Sequence, residues 1–311
     1  MTFLLAFLLI VSVTFGGNPK KAEDRDVKEQ AVVMGAMAPS SAWLPISTAG
    51  TFRGIAFAFD GSVWVSGYSG TNTVGLVSNV ARDSWKQFTI VNPDPGITRF
   101  APKNKDTACV GTFTGQILRT TNGGAKWDTV FSFGDGTLYI NDIMYVDAST
   151  MVASGDADGN GLLVVRSTND GATWTRITNL PAEDLTADKY AHYATYRSPI
   201  DVVGGLIFMT TFSGSTVQPR ILRSDDKGLS WISWAVTLPG TLSNNYYFRS
   251  ISFKDTSIGC AVGRRAYGTT TDFDNPLIKT TDGGKTWSDT LTFNNKIPHK
   301  DQKPVYISIL R

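Results

Sequence analysis

Four segments of this chain align without gaps: TTNGGAKW at 120–127, STNDGATW at 167–174, SDDKGLSW at 224–231 and TTDGGKTW at 280–287. A motif recurring at a long, near-regular interval constrains the fold more than any composition, because each copy must occupy the same place in a repeated unit. Each copy follows an apolar run that closes on a basic residue: ILRTT, VVRST, ILRSD and LIKTT. Within the motif, Asn122, Asn169, Asp226 and Asp282 offer a side-chain oxygen to backbone donors, and glycine supplies the positive φ of a tight turn. Trp127, Trp174, Trp231 and Trp287 then fold back as large apolar plugs. Each copy is therefore expected to be the turn of a hairpin.

Two degenerate copies extend the series, one from Ser78 to Trp85 and one ending at Trp43 after the strand-like AVVMGAM. The six tryptophans are then spaced by 42, 42, 47, 57 and 56 residues. A unit of that length holds about four short strands, which is what one blade of a β-propeller requires. The first unit reads as FRGIAFAF, SVWVSGY, TVGLVS and WKQFTIV from the innermost strand outward, and the last full unit as FRSISF, IGCAVG, PLIKTT and WSDTLTF. The expectation is an all-β propeller with five complete four-stranded blades and parts of a sixth. A β-sandwich, the other all-β architecture weighed, does not repeat a plugged hairpin at this period.

Composition agrees: no long stretch carries apolar residues at helical spacing. The formal net charge of +2 gives none of the basic stripe that draws a protein to nucleic acid. Residues 1–17 hold the apolar run FLLAFLLIVSVTF followed by small residues and read as a signal peptide removed near Gly17. An uncleaved anchor is the alternative; once the signal is removed, no stable membrane insertion is expected. The charged stretch within 18–41 is a linker leading into an N-terminal strand region, and 42–311 is the propeller. The expected setting is secreted, periplasmic or otherwise exported. Cys109 and Cys260 fall in matching strands, TACVG and GCAVG, of blades that are not neighbours, so they are expected to stay apart as small buried residues.

The motifs resemble the Asp-box (BNR) repeats of sialidase-type propellers. FKDTSIGCAVG followed by IKTTDGGKTW is most similar to the photosystem II assembly factor-like propellers. The resemblance covers roughly residues 43–311. It implies a ring of seven blades, with six as the alternative. On that count the chain stops short of its C-terminal strands, since VYISILR supplies a single inner strand. AVVMGAM and AWLPIS are placed to supply outer strands of the last blade. The family's motif marks blade edges, so it brings no activity with it. The photosystem factors bind protein partners; sialidases grip a carboxylate with three arginines.

Against that enzyme pattern, Phe52-Arg53-Gly54-Ile55 is a partial match lacking proline, and Arg99, Arg197 and Arg249 lie near the innermost strands of other blades. After the linker only Glu183 remains among glutamates, so a glycoside hydrolase would have to rely on it or on paired aspartates. Aligning the inner strands places Arg53, Asn141, His192 and Arg249 at four strand starts, which face one mouth of the channel. Arg264, Arg265 and Tyr267 follow the second strand of the fifth blade, and long loops occur at 181–193, 239–248 and 264–276. Arginine and tyrosine in such loops are the residue types that anchor interfaces. Asp156, Asp158 and Asn160 match the front half of a calcium loop, but Ser167 stands where its closing Glu belongs, so a polar turn is the competing reading and no cofactor is required. The function expected is non-catalytic binding of a protein or small ligand on the loop-bearing face, the partner being a protein or carbohydrate, with sialidase-like glycoside hydrolysis as the alternative.

Overall fold

Each repeat unit folds as an antiparallel meander. The computed structural model describes residues 33–34, 45–46, 51–69, 72–90, 96–134, 136, 138–158, 160–181, 189–190, 199–213, 219–236, 246–265 and 274–294. Two short strands, β1 (Val33–Met34) and β2 (Pro45–Ile46), pair with each other. Sheet 1 comprises β3 (Thr51–Phe57), β4 (Val63–Ser69), β5 (Asn72–Ser78) and β6 (Trp85–Ile90). Sheet 2 comprises β7 (Ile97–Pro102), β8 (Ala108–Thr112), β9 (Gln116–Thr120) and β10 (Asp128–Ser132). Sheet 3 comprises β11 (Ile140–Tyr145), β12 (Met151–Asp158), β13 (Gly161–Ser167) and β14 (Thr175–Arg176). Sheet 4 divides its first strand into β15 (Lys189–Tyr190) and β16 (Ile200–Val203), followed by β17 (Leu206–Ser213), β18 (Arg220–Ser224) and β19 (Ile232–Ala235). Sheet 5 comprises β20 (Tyr246–Phe253), β21 (Gly259–Arg265), β22 (Asp274–Thr280) and β23 (Ser288–Asn294).

First strands of successive sheets touch in order, β3 to β7 to β11 to β16 to β20, so they line the centre and the fourth strands lie outside. This is the β-propeller arrangement. Sheets stack face to face because each third strand turns adjacent apolar residues in opposite directions. Leu118 joins the core shared with sheet 1, while its neighbour Ile117 joins the core shared with sheet 3. Val164 and Val165, and Ile221 and Leu222, divide in the same way. Both faces of sheets 2, 3 and 4 are thus buried, which is why their third strands read as continuous apolar runs. Phe208 and Phe253 stack across sheets 4 and 5 with ring centroids 3.5 Å apart.

The repeated turn closes on a fixed set of hydrogen bonds. Thr120, Ser167, Ser224 and Thr280 each donate a hydroxyl to the Asn or Asp two residues on, and accept the amide of the glycine four residues on, at 3.1, 2.9, 2.7 and 3.0 Å. The Asn or Asp oxygen accepts the amide of Lys126, Thr173, Ser230 or Thr286. Asp170 and Lys227 adopt positive φ of 59° just before their glycines, so the turn uses two successive left-handed residues. The indoles of Trp174, Trp231 and Trp287 donate to the same glycines' carbonyls. Trp231 is buried, whereas Trp127, Trp174 and Trp287 are only half-buried. Those three plugs therefore contribute less to the core than their size suggests, while Trp231 belongs to it.

The basic residue before each turn ties sheets together. Arg119, Arg166 and Arg223 donate to the backbone carbonyls of Asp170, Lys227 and Gly283, each the fourth turn residue of the following sheet. In sheet 1 that position is Val77, and Lys86, directly across from it on β6, reaches the next turn at the Asn122 carbonyl instead. Lys279, the equivalent in sheet 5, is exposed. Replacing Ser224 by alanine leaves the buried Gly228 amide without its acceptor and is expected to cost about 1–3 kcal/mol in a denaturant melt; a loss below about 0.3 kcal/mol would show that water takes over the bond.

Cys109 and Cys260 are free thiols opposite Arg119 and Lys279 in their sheets, as their matching positions require; Cys109 is buried as expected, but Cys260 is only half-buried. Burial pushes the Cys109 thiol up to about 12.

Candidate functional site

The first strands carry an irregularity at one shared place. Phe52 pairs with Gly67 and Gly54 with Ser66, so Arg53 is an extra residue in β3. The same bulge makes Thr98 the extra residue in β7, Asn141 in β11 and Arg249 in β20. A bulge bends its strand and re-aims the inserted side chain, and such bulges concentrate at the rims of closed sheets. All four lie near the start of a central strand, at the end of the propeller opposite the repeated turns.

Sheet 4 departs from this pattern. Tyr190 pairs with Phe212 and Ile200 with Met209, so Thr210 and Thr211 of β17 lie between the two pairings. Pro199 re-enters the sheet by accepting the Thr210 amide at 2.9 Å. His192 and Arg197 lie outside the described residues, as do Glu183 and Tyr267. Arg264 and Arg265 extend β21 opposite Tyr247 and Tyr246, at the same end of sheet 5 as Arg249.

Behind the bulges lies a buried polar girdle. Arg99 Nη1 approaches both carboxylate oxygens of Asp142 at 3.2 Å. Asp142 also accepts the Ile143 amide at 2.9 Å and, from sheet 4, the Ile200 amide at 3.0 Å. One carboxylate thus joins three sheets. Burial pushes Asp142 up to about 6, with Arg99 and the two amides pulling the other way. Asp201 extends the girdle by accepting the Phe253 amide of sheet 5 at 2.6 Å. Arg99, one of the arginines a carboxylate clamp would use, is therefore already committed to an internal partner. Matching the inner strands by their apolar positions passed over Asp142 and Asp201; the signal was an acid set in an otherwise apolar inner strand, as in IND and PID.

Asp156 accepts Asn141 Nδ2 at 2.9 Å and the Tyr139 amide at 3.0 Å, and burial raises its pKa. Asp158 turns to a different partner, a bidentate pair with Arg176 at 2.7 and 2.8 Å that holds it down at about 2. The Asn160 amide donates to Asp158. The two carboxylates of the D-x-D-x-N segment do not converge, and among the described residues no three His, Cys, Asp or Glu side chains lie together as metal ligands.

No known family profile matches the chain, and no curated protein matches it. Solved structures do. The chain is similar to the GH74 enzyme of Niastella koreensis, with a TM-score of 0.57 and 15% identity over 80% of this chain and 40% of that one. It is also similar to the GH74 xyloglucanase of Xanthomonas campestris, with a TM-score of 0.53 and 15% identity over 74% of this chain and 36% of that one. A third is YCF48 from Cyanidioschyzon merolae, with a TM-score of 0.50 and 16% identity over 81% of this chain and 75% of that one. At such identities the likeness establishes the propeller and nothing finer. The chain spans well under half the length of the two GH74 proteins. Among the described residues no helix is long and apolar enough to cross a membrane.

Proposed function

We propose that this propeller is a binding scaffold of the Asp-box type that takes an anionic group of a protein or carbohydrate ligand at the mouth where its central strands begin. The observation that carries this reading is the shared bulge position, held by Arg53, Thr98, Asn141 and Arg249 in four sheets. Arg264 and Arg265 add basic residues at the same end. Two cationic bulge positions on one rim favour acidic partners and make association salt-sensitive. A non-catalytic role is supported by how Asp142, Asp156 and Asp158 are used: each holds its own scaffold together through bonds that a general acid or base would have to break. The reading includes export, with residues 1–17 removed, and loops of individual sequence supplying specificity.

The test screens the protein against an array of carboxylated and sulfated oligosaccharides and acidic peptides, in parallel with a panel of fluorogenic glycosides. Capture of an acidic probe without turnover is expected, and the Arg249→Ala/Arg264→Ala/Arg265→Ala variant should bind it at least about tenfold more weakly with its melting temperature unchanged. Turnover of a glycoside, or equal binding by the variant, would overturn the reading.

A further inference from the structure

One sheet face is built like an interior face and has no apolar partner among the described residues. In sheets 2 to 5, the first strand packs against the sheet before it: Ile143 is fully buried against Cys109 and Ile117, and Ile251 and Phe253 against Phe208 and Ile221. The equivalent residues of β3 are Ile55 and Phe57, because Ile55 pairs with Val65 and Phe57 with Val63 as Ile251 pairs with Ala261 and Phe253 with Gly259. Ile55 is 37% exposed and Phe57 50%. Beneath them Val63, Val65 and Leu76 form a small cluster joined, among the described residues, by Trp85, which is half of a core.

The hairpin of β1 and β2 has the register of the missing half. In every repeated turn, the residue before the first turn position pairs with the residue after the tryptophan: Arg119 with Asp128, Arg166 with Thr175, Arg223 with Ile232, Lys279 with Ser288. Counting back from Trp43 by the same rule pairs Met34 with Pro45 and Val33 with Ile46, which are the observed partners. By that count β1 and β2 are a third and fourth strand, and Val33 holds the position of Ile117, Val164 and Ile221. Those three residues belong to the cores shared with the following sheet. A two-stranded hairpin is marginal alone and needs an apolar partner.

We infer that the N-terminal hairpin Val33–Ile46 is the outer half of the blade preceding sheet 1 and docks its Val33 side on the face formed by Ile55, Phe57, Val65 and Leu76. The occupant is thus a segment of this same chain, in strand order continuous with Thr51, rather than a second copy or an unrelated partner. Docking turns the open edge of the described arc into an interior interface and fixes where the Arg53 end of β3 stands on the mouth.

The test is thermal unfolding of the full chain carrying Val33→Asp, Phe57→Asp or both, with light scattering to fix the oligomeric state and Ile232→Asp as the control at an exposed apolar position. Docking predicts that each single substitution lowers the melting temperature by about 4 °C or more, that the control shifts it by less than about 1 °C, and that the double variant falls little further than the worse single one. Additive losses, or a Phe57→Asp effect no larger than the control's, would overturn the inference. So would a dimer that Phe57→Asp dissociates, which would make a second copy the occupant.

Discussion

Replacing Trp64 by alanine is expected to lower the unfolding free energy by about 3–5 kcal/mol, the largest loss of any single residue near sheets 1 and 2. Trp64 is completely buried, unlike the turn tryptophans. Its ring lies 5.3 Å from Phe88, 6.0 Å from Phe100 and 6.2 Å from Trp127, so its removal empties the centre of an aromatic cluster that spans two sheets. Its indole N–H also donates to the Asn104 carbonyl at 3.0 Å, tying sheet 1 to the first turn of sheet 2. Trp127→Ala should cost less, because that ring is partly in water and its indole N–H has no acceptor among the described residues. Urea melts of the two variants decide the order; a larger loss at Trp127 would mean that the turn plug, rather than the shared core, carries the junction.

Asp142 should give the fold an unusual pH dependence. Its folded pKa, about 6, lies above the ordinary value of 3.8 because burial penalises the charge more than Arg99 and two amides reward it. A raised acid pKa means that the folded state binds the proton more tightly than the unfolded one. The stabilisation is therefore complete below about pH 4 and is lost as pH rises through about 6, a change of roughly 3 kcal/mol. Asp158 and Asp282 act in the opposite sense: with folded values near 2, their contribution is present above about pH 4 and fades below it. The two windows do not overlap. Asp142→Asn keeps the shape and removes the titration, so the advantage of the natural protein over the variant should shrink by about 3 kcal/mol between pH 4 and pH 7. A difference that stays constant over that interval would show that Asp142 does not titrate there.

The repeat was legible in the sequence because its turn is local: a hydroxyl, an Asn or Asp, a glycine and a tryptophan at fixed spacing bond mainly to one another. Strand order within each blade followed from it. The start of the central strands was legible only in part. Arg53, Asn141 and Arg249 were matched across blades by their apolar neighbours, and the structure places all three at one bulge. Thr98 was passed over because a threonine in a strand carries no signal of its own. Asp142 and Asp201 depend on amides 58 and 52 residues away, which no local pattern discloses. The segment around Asp156 and Asp158 resembles a cation loop by spacing, and the pairing of Asp158 with Arg176 on the neighbouring strand is not legible in that spacing.

The binding mouth is tested most directly by moving the same amount of charge at the two ends of the propeller. Arg53→Glu/Arg249→Glu alters the bulge positions, while Lys105→Glu/Lys126→Glu makes the same change in net charge at the opposite end, where both lysines are exposed. Calorimetric titration of the natural protein and both variants with the acidic probe selected from the array, at low and at physiological salt, compares them. Binding by the site proposed here predicts at least about a tenfold loss for the mouth variant and an unchanged affinity for the other. Equal losses in both variants, or none in the mouth variant, would contradict it.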